Sequence, residues 1–342
     1  MKSILLLVSL LIATTAQTAA QGELQFAELG QCSLQNGGVI LDCRIGYRTW
    51  GTLDANRSNA VLFPTWVHGT SENLARFAGP GGYVDTSRFF VIAVDVFGNG
   101  VSSSPSNSTR QPGHSFPQFT IRDMVDSQYR LLVEQFGIEH LWAVIGVSMG
   151  GMQALEWLVA YPDFVQKAVS ISGSPQLTSY DLLLWKTRLA VIEQCEAAGC
   201  EDTGTLAGLM SQLAIYTPHY MNQHTSREGV ERLYAGVARS AQASFHAGDH
   251  ASQLRAMLAH DVAASFEGDL ERAAATVKGE LFTVLSTHDQ GVTPEAARRF
   301  TDLVDGALLE LDNDFGHMAF WLEAEIIGLS VKGFLAEGRE GA

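Results

Sequence analysis

The chain predicts an α/β fold with a mostly parallel central sheet and an inserted block of helices. Three observations lead there. Apolar, β-branched runs of strand length alternate with helical stretches through the first half of the chain. That rhythm stops from about residue 175 to 276, where the chain reads as helical and no buried strand is evident. It resumes for two strands and two helices near the C-terminus. Hydrophobic residues at 46% and charged ones at 17% exclude low-complexity disorder.

The elements can be justified in order. Lys2, an apolar run over 4–13 and small residues up to Ala20 describe a secretory signal peptide over residues 1–20. That run is about half the roughly twenty residues a spanning helix needs, and no later apolar stretch is long enough to span a membrane. No cysteine stands at the cleavage point, as a lipoprotein would require. The mature chain is therefore expected to be exported, periplasmic or secreted, and free of the membrane once the leader is cut. Residues 24–50 read as a strand hairpin. "NAVLFPTW" (59–66) and "RFFVIAVDVFG" (88–98) read as buried strands. "TIRDMVDSQYRLLVEQFG" (120–137) has apolar residues at helical spacing and ends in a glycine. Strand 141–147, helix 149–160 and strand 167–174 follow, and after the helical block strand 279–286, helix 294–305, strand 307–312 and a terminal helix over 318–336. The domain plan is a core over 21–174, a helical cap insertion over 175–276, and the rest of the core over 277–342.

Four cysteines, an even count in an exported chain, predict disulfides. Cys32 and Cys43 flank Asn36-Gly37-Gly38, a hairpin turn signal. With Gly37-Gly38 as the turn pair, 32 and 43 face each other across the ladder. Cys195 and Cys200 would close the small loop "CEAAGC". Neither spacing is the two-residue gap of a zinc knuckle, so no metal is expected. The formal charge of −15 argues against nucleic acid and anionic membranes as partners, since both need basic patches. A small molecule is the expected partner, and no cofactor is implied.

"AVIGVSMGGMQALEW" carries the chemistry. Gly146-Val147-Ser148-Met149-Gly150 fits G-x-S-x-G, with a buried strand before it and a helix after. A bulky residue beside so tight a turn would clash, hence Gly146 and Gly150. The turn lifts the Ser148 hydroxyl above the sheet and leaves the Met149 N–H free at a helix N-terminus, where it can face an oxyanion. A serine nucleophile needs a base, and this constellation runs in the order Ser, acid, His. His317, on the loop after the last strand, is the candidate base. Asp289, in "STHDQGVTP" after strand 279–286, is the candidate acid; Asp312 and Asp314 share the histidine's own loop and would approach it awkwardly. His114, His140, His219, His224, His246, His250 and His260 read as surface histidines. The second oxyanion donor should come from "TWVHGTSEN", where Trp66, Val67 and His68 offer amides and pocket side chains. The whole layout is that of a capped α/β-hydrolase.

These residues resemble the homoserine O-acetyltransferase family. The resemblance covers roughly 40–172 and 279–321 and includes "YRTWGTLDANRSNAVL", "GPGGYVDTSRFFVIAVDVFG", "FPQFTIRDMV", "SMGGMQALEW" and "FGHMAF". It implies acyl transfer through an acyl-serine in a deep tunnel, with Ser148, Asp289 and His317 as triad and Val67 and Met149 as oxyanion donors. It also implies pairing of two copies through the cap. Three departures matter. The family's aspartate after the catalytic histidine is Met318, which cannot hold an ammonium. "GGSMGG" is "GVSMGG", so Val147 narrows the elbow. The arginine that grips a substrate carboxylate is not placed by any motif; Arg188, Arg227, Arg232 and Arg239 are candidates, each reading by itself as part of a solvated helix face.

Export sharpens the functional expectation. Acyl-CoA and homoserine are cytoplasmic metabolites, and outside the cytoplasm the abundant acyl acceptor is water. Hydrolysis of an ester or related acyl compound is therefore expected. Acyl-CoA-dependent O-acyl transfer is the rival. A binding protein with a decayed site is the third reading, against which an intact Ser, Asp and His in order argues.

Overall fold

The computed structural model describes residues 21–79 and 81–338; the expected signal peptide lies outside them. Eight strands form one sheet: β1 (Gln25–Ser33), β2 (Val39–Trp50), β3 (Ala60–Pro64), β4 (Phe90–Val94), β5 (Leu141–Val147), β6 (Val165–Ile171), β7 (Glu280–Ser286) and β8 (Ala307–Leu311). The order across the sheet is β1-β2-β4-β3-β5-β6-β7-β8. β1 and β2 run antiparallel to their neighbours, and β4 through β8 pair in parallel. The inner parallel strands β3, β4 and β5 are short and apolar throughout because both faces are covered, whereas β8 at the edge is largely exposed.

Among the described residues twelve α-helices accompany the sheet: α1 (Ser71–Leu74), α2 (Ile121–Arg130), α3 (Met149–Ala160), α4 (Ser179–Ala198), α5 (Thr203–Ile215), α6 (Pro218–His224), α7 (Val230–Ser244), α8 (Ala247–Leu258), α9 (Leu270–Ala274), α10 (Glu295–Leu303), α11 (Ala319–Leu322) and α12 (Ala324–Ala336). The helix expected over 120–137 is α2 followed by a π-helical turn, Leu131–Gln135. Alternate strand residues serve two cores. Leu62, Ile92 and Val144 face α2, α3 and Phe300 of α10. Val61, Phe63, Ala143 and Ile145 face Leu74, Phe77 and the Ile327, Val331 and Leu335 stripe of α12. Between β6 and β7 come only helices, α4 to α9, as the sequence suggested. No helix of the described residues is long and apolar enough to cross a membrane.

Chain order reverses between β3 and β5, the switch point at which sites form in open parallel sheets. The loops leaving those strands carry Trp66, Val67 and His68 on one side and Ser148 on the other.

The cysteine expectations divide. Cys32 and Cys43 are bridged, with Cα atoms 5.8 Å apart. They do not face each other as the assumed turn required: Cys32 lies opposite Ile40, and Cys43 opposite Gly30. The turn is longer than two residues, closed by Leu34 N–H donating to Gly38 O at 2.9 Å. Asp42, at φ 52°, then sits at a register shift that leaves both cysteines buried. Cys195 and Cys200, expected as a second bridge, are free thiols. They belong to the end of α4, where Gly199 adopts φ 69° and Cys200 N–H donates to Cys195 O at 2.9 Å. The helix cap brings the thiols together, and their hydrogen bond raises the Cys200 pKa. Peptide mapping of unreduced protein should find Cys32 linked to Cys43 while Cys195 and Cys200 take up an alkylating reagent. Opening the first bridge by Cys32→Ala with Cys43→Ala should cost about 2–3 kcal/mol in denaturant unfolding. An unlinked Cys32 would refute the pairing.

Candidate active site

The turn at Ser148 is as tight as its glycines imply. A Cβ on Gly146 would meet Gly150 O at 1.9 Å, and one on Gly150 would meet Pro64 O at 2.7 Å. Ser148 sits between them at φ 55°, ψ −122°, a conformation costly for a residue with a side chain. Its N–H donates to Ile171 O at 2.8 Å, which ties the turn to β6. Val147, which was expected to narrow the elbow, is fully buried among the apolar residues on one face of the sheet.

Side chains of α3 explain the rest of "SMGGMQALEW". Gln153 donates to Met149 O at 3.1 Å and Thr65 O at 3.2 Å, and accepts from Gln128 at 2.6 Å. Trp157 Nε1 in turn donates to Gln128 Oε1 at 2.8 Å. This buried chain fixes α3 against the loop after β3. Met149 is the first residue of α3, so its N–H has no carbonyl one turn back to accept it.

The three residues of the expected triad come together from three loops. The Ser148 hydroxyl lies 2.9 Å from His317 Nε2, and His317 Nδ1 donates to Asp289 Oδ2 at 2.7 Å. Their exposures are 5%, 6% and 4%, so the charges involved are poorly screened. Asp289 Oδ1 accepts from the N–H groups of Gly291 at 2.8 Å and Val292 at 3.0 Å, which locks the carboxylate toward the imidazole. Burial pushes the His317 pKa down, but Asp289, through charge and hydrogen bond, and the charge of Asp181 push harder, and the net shift is upward. Asp312 and Asp314 are exposed and turned elsewhere, near His288 and His219.

The other candidates lie around this centre. Val67 is half-buried in the loop after β3. Trp66 packs against Phe77 and Phe320, with centroids 6.2 and 5.6 Å away. Met318 closes the short turn Gly316–Met318 and packs on the same apolar cluster. His68 has φ 60°, and its N–H donates to Gln253 Oε1 of α8 at 2.8 Å. Gln253 also donates to Phe97 O at 2.9 Å, so α8 holds the loop after β3; nothing in its sequence context marked it.

Two histidines expected at the surface are not there. His260 is buried, with Nε2 3.1 Å from Ser174 O, and burial pushes its pKa down to about 4. His250 stacks on His68 with centroids 3.4 Å apart and planes 11° off parallel. Of the cap arginines, Arg227, Arg232 and Arg239 are exposed as expected, whereas Arg188 is buried. Among the described residues no cluster of His, Cys, Asp and Glu could hold a metal.

Comparison with known proteins shows the family. Residues 66–324 match the alpha/beta hydrolase fold family. The chain is 32% identical to a homoserine O-succinyltransferase of Methylibium petroleiphilum, over 84% of this chain and 86% of that protein. It is 30% identical to an ethyl acetate hydrolase of Pseudomonas veronii, over 80% and 82%. An acetylester hydrolase structure from Corynebacterium glutamicum superimposes with a TM-score of 0.84 at 29% identity, covering 93% of this chain and 96% of that one. The chain is therefore an enzyme that acts on acyl compounds, and it belongs to the α/β-hydrolase fold family, in the group that holds homoserine O-acyltransferases and their esterase relatives.

Proposed function

We propose that this enzyme hydrolyses small esters, with Ser148, His317 and Asp289 as its triad and an acyl-serine as its intermediate. The observation that carries the reading is the unbroken hydrogen-bonded line from Asp289 through His317 to Ser148. Ser148 Oγ attacks the ester carbonyl while His317 Nε2 takes its proton. The N–H groups of Val67 and Met149 receive the oxyanion. His317 then protonates the departing alkoxide. Water, deprotonated by the same imidazole, attacks the acyl-serine and releases the acid, and the proton returns to Ser148. Asp289 holds the tautomer with Nδ1 protonated and stabilises the imidazolium. The helices between β6 and β7, residues 175–276, act as a cap over this centre.

Hydrolysis is favoured over transfer by Met318. It puts no carboxylate at the position after His317, where the family's aspartate would meet an amino-acid ammonium, and a bare ammonium in a buried site is costly. The leader over 1–20 and the Cys32–Cys43 bridge support an exported, periplasmic or secreted enzyme, away from acyl-CoA. Product partition tests the reading. Given acetyl-CoA and homoserine, the enzyme should form free acetate in excess of O-acetylhomoserine, and it should cleave a small activated ester without either. Dominant O-acetylhomoserine at a comparable turnover would instead establish the transferase.

The raised His317 pKa predicts the pH profile. Only neutral imidazole accepts the serine proton, so kcat/KM should rise with pH through a midpoint above the ordinary value near 6.5. Asp181→Asn removes one of the charges that raise it and should move the midpoint down without abolishing turnover. A wild-type midpoint below the ordinary value would show that another group titrates.

A further inference from the structure

The loop that carries Asp289 is gripped by α4 at two points. Asp289 Oδ1 accepts from the N–H groups of Gly291 and Val292. The same loop presents two further backbone groups, the carbonyl of Gly291 and the N–H of Thr293, and α4 takes both. Trp185 Nε1 donates to Gly291 O at 2.8 Å. Asp181 Oδ1 accepts from Thr293 N–H at 3.0 Å, and Asp181 Oδ2 accepts from the Thr293 hydroxyl at 3.1 Å. Asp181 and Trp185 stand four residues apart, on one face of the first turns of the helix. Both are buried, at 0% and 3% exposure.

These grips act on the peptide planes that aim the carboxylate. Gly291 O and Val292 N–H belong to one trans peptide unit, which is planar and stiff. Trp185 fixes its oxygen, and its N–H then points the opposite way, at Asp289 Oδ1. Asp181 holds the N–H of the next unit, which anchors the first. Rotation of the first plane would turn a donor away from Asp289. The loop also abuts the base, since a Cβ on Gly291 would meet His317 Cγ at 3.1 Å. It has little room to move towards the imidazole, and α4 keeps it from moving away.

Capping α4 does not by itself require this. Asp181 closes the first turn through Oδ2, which accepts from Thr178 N–H at 3.0 Å. Oδ1 is not needed for that cap and is the oxygen turned to Thr293 N–H. Among the described residues the carboxylate only receives hydrogen bonds, so its ionised form is the one that fits. The same box recurs at α2. There Asp123 accepts from Thr120 N–H at 2.8 Å and, across the chain, from Gln35 N–H at 2.7 Å. That box ties α2 to the turn after β1 and bonds to none of Ser148, Asp289 and His317.

Resting on the triad reading above, we propose that Asp181 and Trp185 are positioning residues of the reaction: through Thr293 and Gly291 they hold the loop that aims Asp289 at His317. α4 is then part of the catalytic framework and not only a cover over it. The two residues differ in one respect. Asp181 brings a charge that acts on His317, and Trp185 brings none. Trp185→Phe keeps the ring, removes only the donor and so isolates positioning from charge. Its kcat on a small activated ester should fall about tenfold with KM within about twofold, because a misdirected Asp289 slows the chemical step. The charges acting on the imidazole are those of Asp289 and Asp181, so a loosened Asp289 should also lower the pH midpoint of Trp185→Phe.

Coupling to Asp289 is the readout that a merely structural role would not move. On an Asp289→Asn background no carboxylate remains to be aimed, so adding Trp185→Phe should change kcat by less than about threefold. A full tenfold loss on that background would show that Trp185 serves something else and overturn the proposal. Asp181→Asn should lose about tenfold in kcat, whereas Asp123→Asn, which weakens the matching box on α2, should lower the thermal midpoint and keep wild-type kcat. If Trp185→Phe does not fold, that pair decides: equal kcat in Asp181→Asn and Asp123→Asn would overturn the proposal. Unchanged turnover in Asp289→Asn would overturn the triad and the clasp together. A damaged Asp289→Asn beside unharmed Trp185→Phe and Asp181→Asn would overturn the clasp alone.

Discussion

Ser148→Ala is expected to abolish acyl chemistry and leave the fold intact. Ser148 lies at the end of β5 and bonds to the sheet through its backbone, so alanine keeps the N–H to Ile171 O. Among the described residues its side chain bonds to His317 alone, at 2.9 Å. Turnover should fall by about 10⁴-fold or more, since loss of a triad member typically removes everything except oxyanion and binding contributions. The thermal midpoint should stay within a few degrees, and a fluorophosphonate probe that labels the wild type should no longer attach. A folded Ser148→Ala protein with most of its activity would refute the mechanism. A wild-type protein that resists the probe would revive the reading of a decayed site.

Asp289→Asn should lower turnover by about 10⁴-fold, the penalty for presenting the imidazole in the wrong tautomer. The amide can still accept the Gly291 and Val292 N–H groups, so the loop geometry survives and the loss is chemical. Asp312→Asn and Asp314→Asn should stay within a few fold of wild type. Both are exposed, and neither reaches the imidazole of His317. The pH midpoint of residual activity in Asp289→Asn should fall, because Asp289 supplies most of what raises the His317 pKa. Steady-state kinetics of the three variants, measured across pH, separate these outcomes. A sensitive Asp312 or Asp314 with an indifferent Asp289 would reassign the acid.

The features that the sequence determined are local ones. The buried strands could be placed because β-branched runs bounded by turns have few other structures to form, and β5 and α3 lie where Leu141–Val147 and Met149–Ala160 read. The nucleophile turn was legible because Gly146 and Gly150 answer to backbone atoms only a few residues away or on the adjacent strand. Asp289 and His317 were legible because each sits on a loop directly after a recognisable strand, in the order this fold demands. The hairpin was half legible. Its existence followed from Asn36-Gly37-Gly38, but its register depended on a longer turn and on the shift at Asp42, and a shift of that kind has no periodic signature.

What tertiary structure alone decided is the interior of the helical block between β6 and β7. α4 reads "SYDLLLWKTRLAVIEQCEAA", with apolar residues around most of its circumference, so no face announces itself as the buried one. By residue type Leu183 belongs inside and Arg188 outside. In the folded chain Leu183 is 68% exposed, while Arg188 is buried beside Trp185 and Ile192. Burial on a helix is set by the surface it lands on. Here that surface is made by the Gly291 loop and by His250 and His68, which the chain supplies from far along the sequence. A guanidinium buried there over the Trp185 ring, with no ion pair or hydrogen bond among the described residues, is a property of the assembled helices, and no window of sequence around residue 188 contains it.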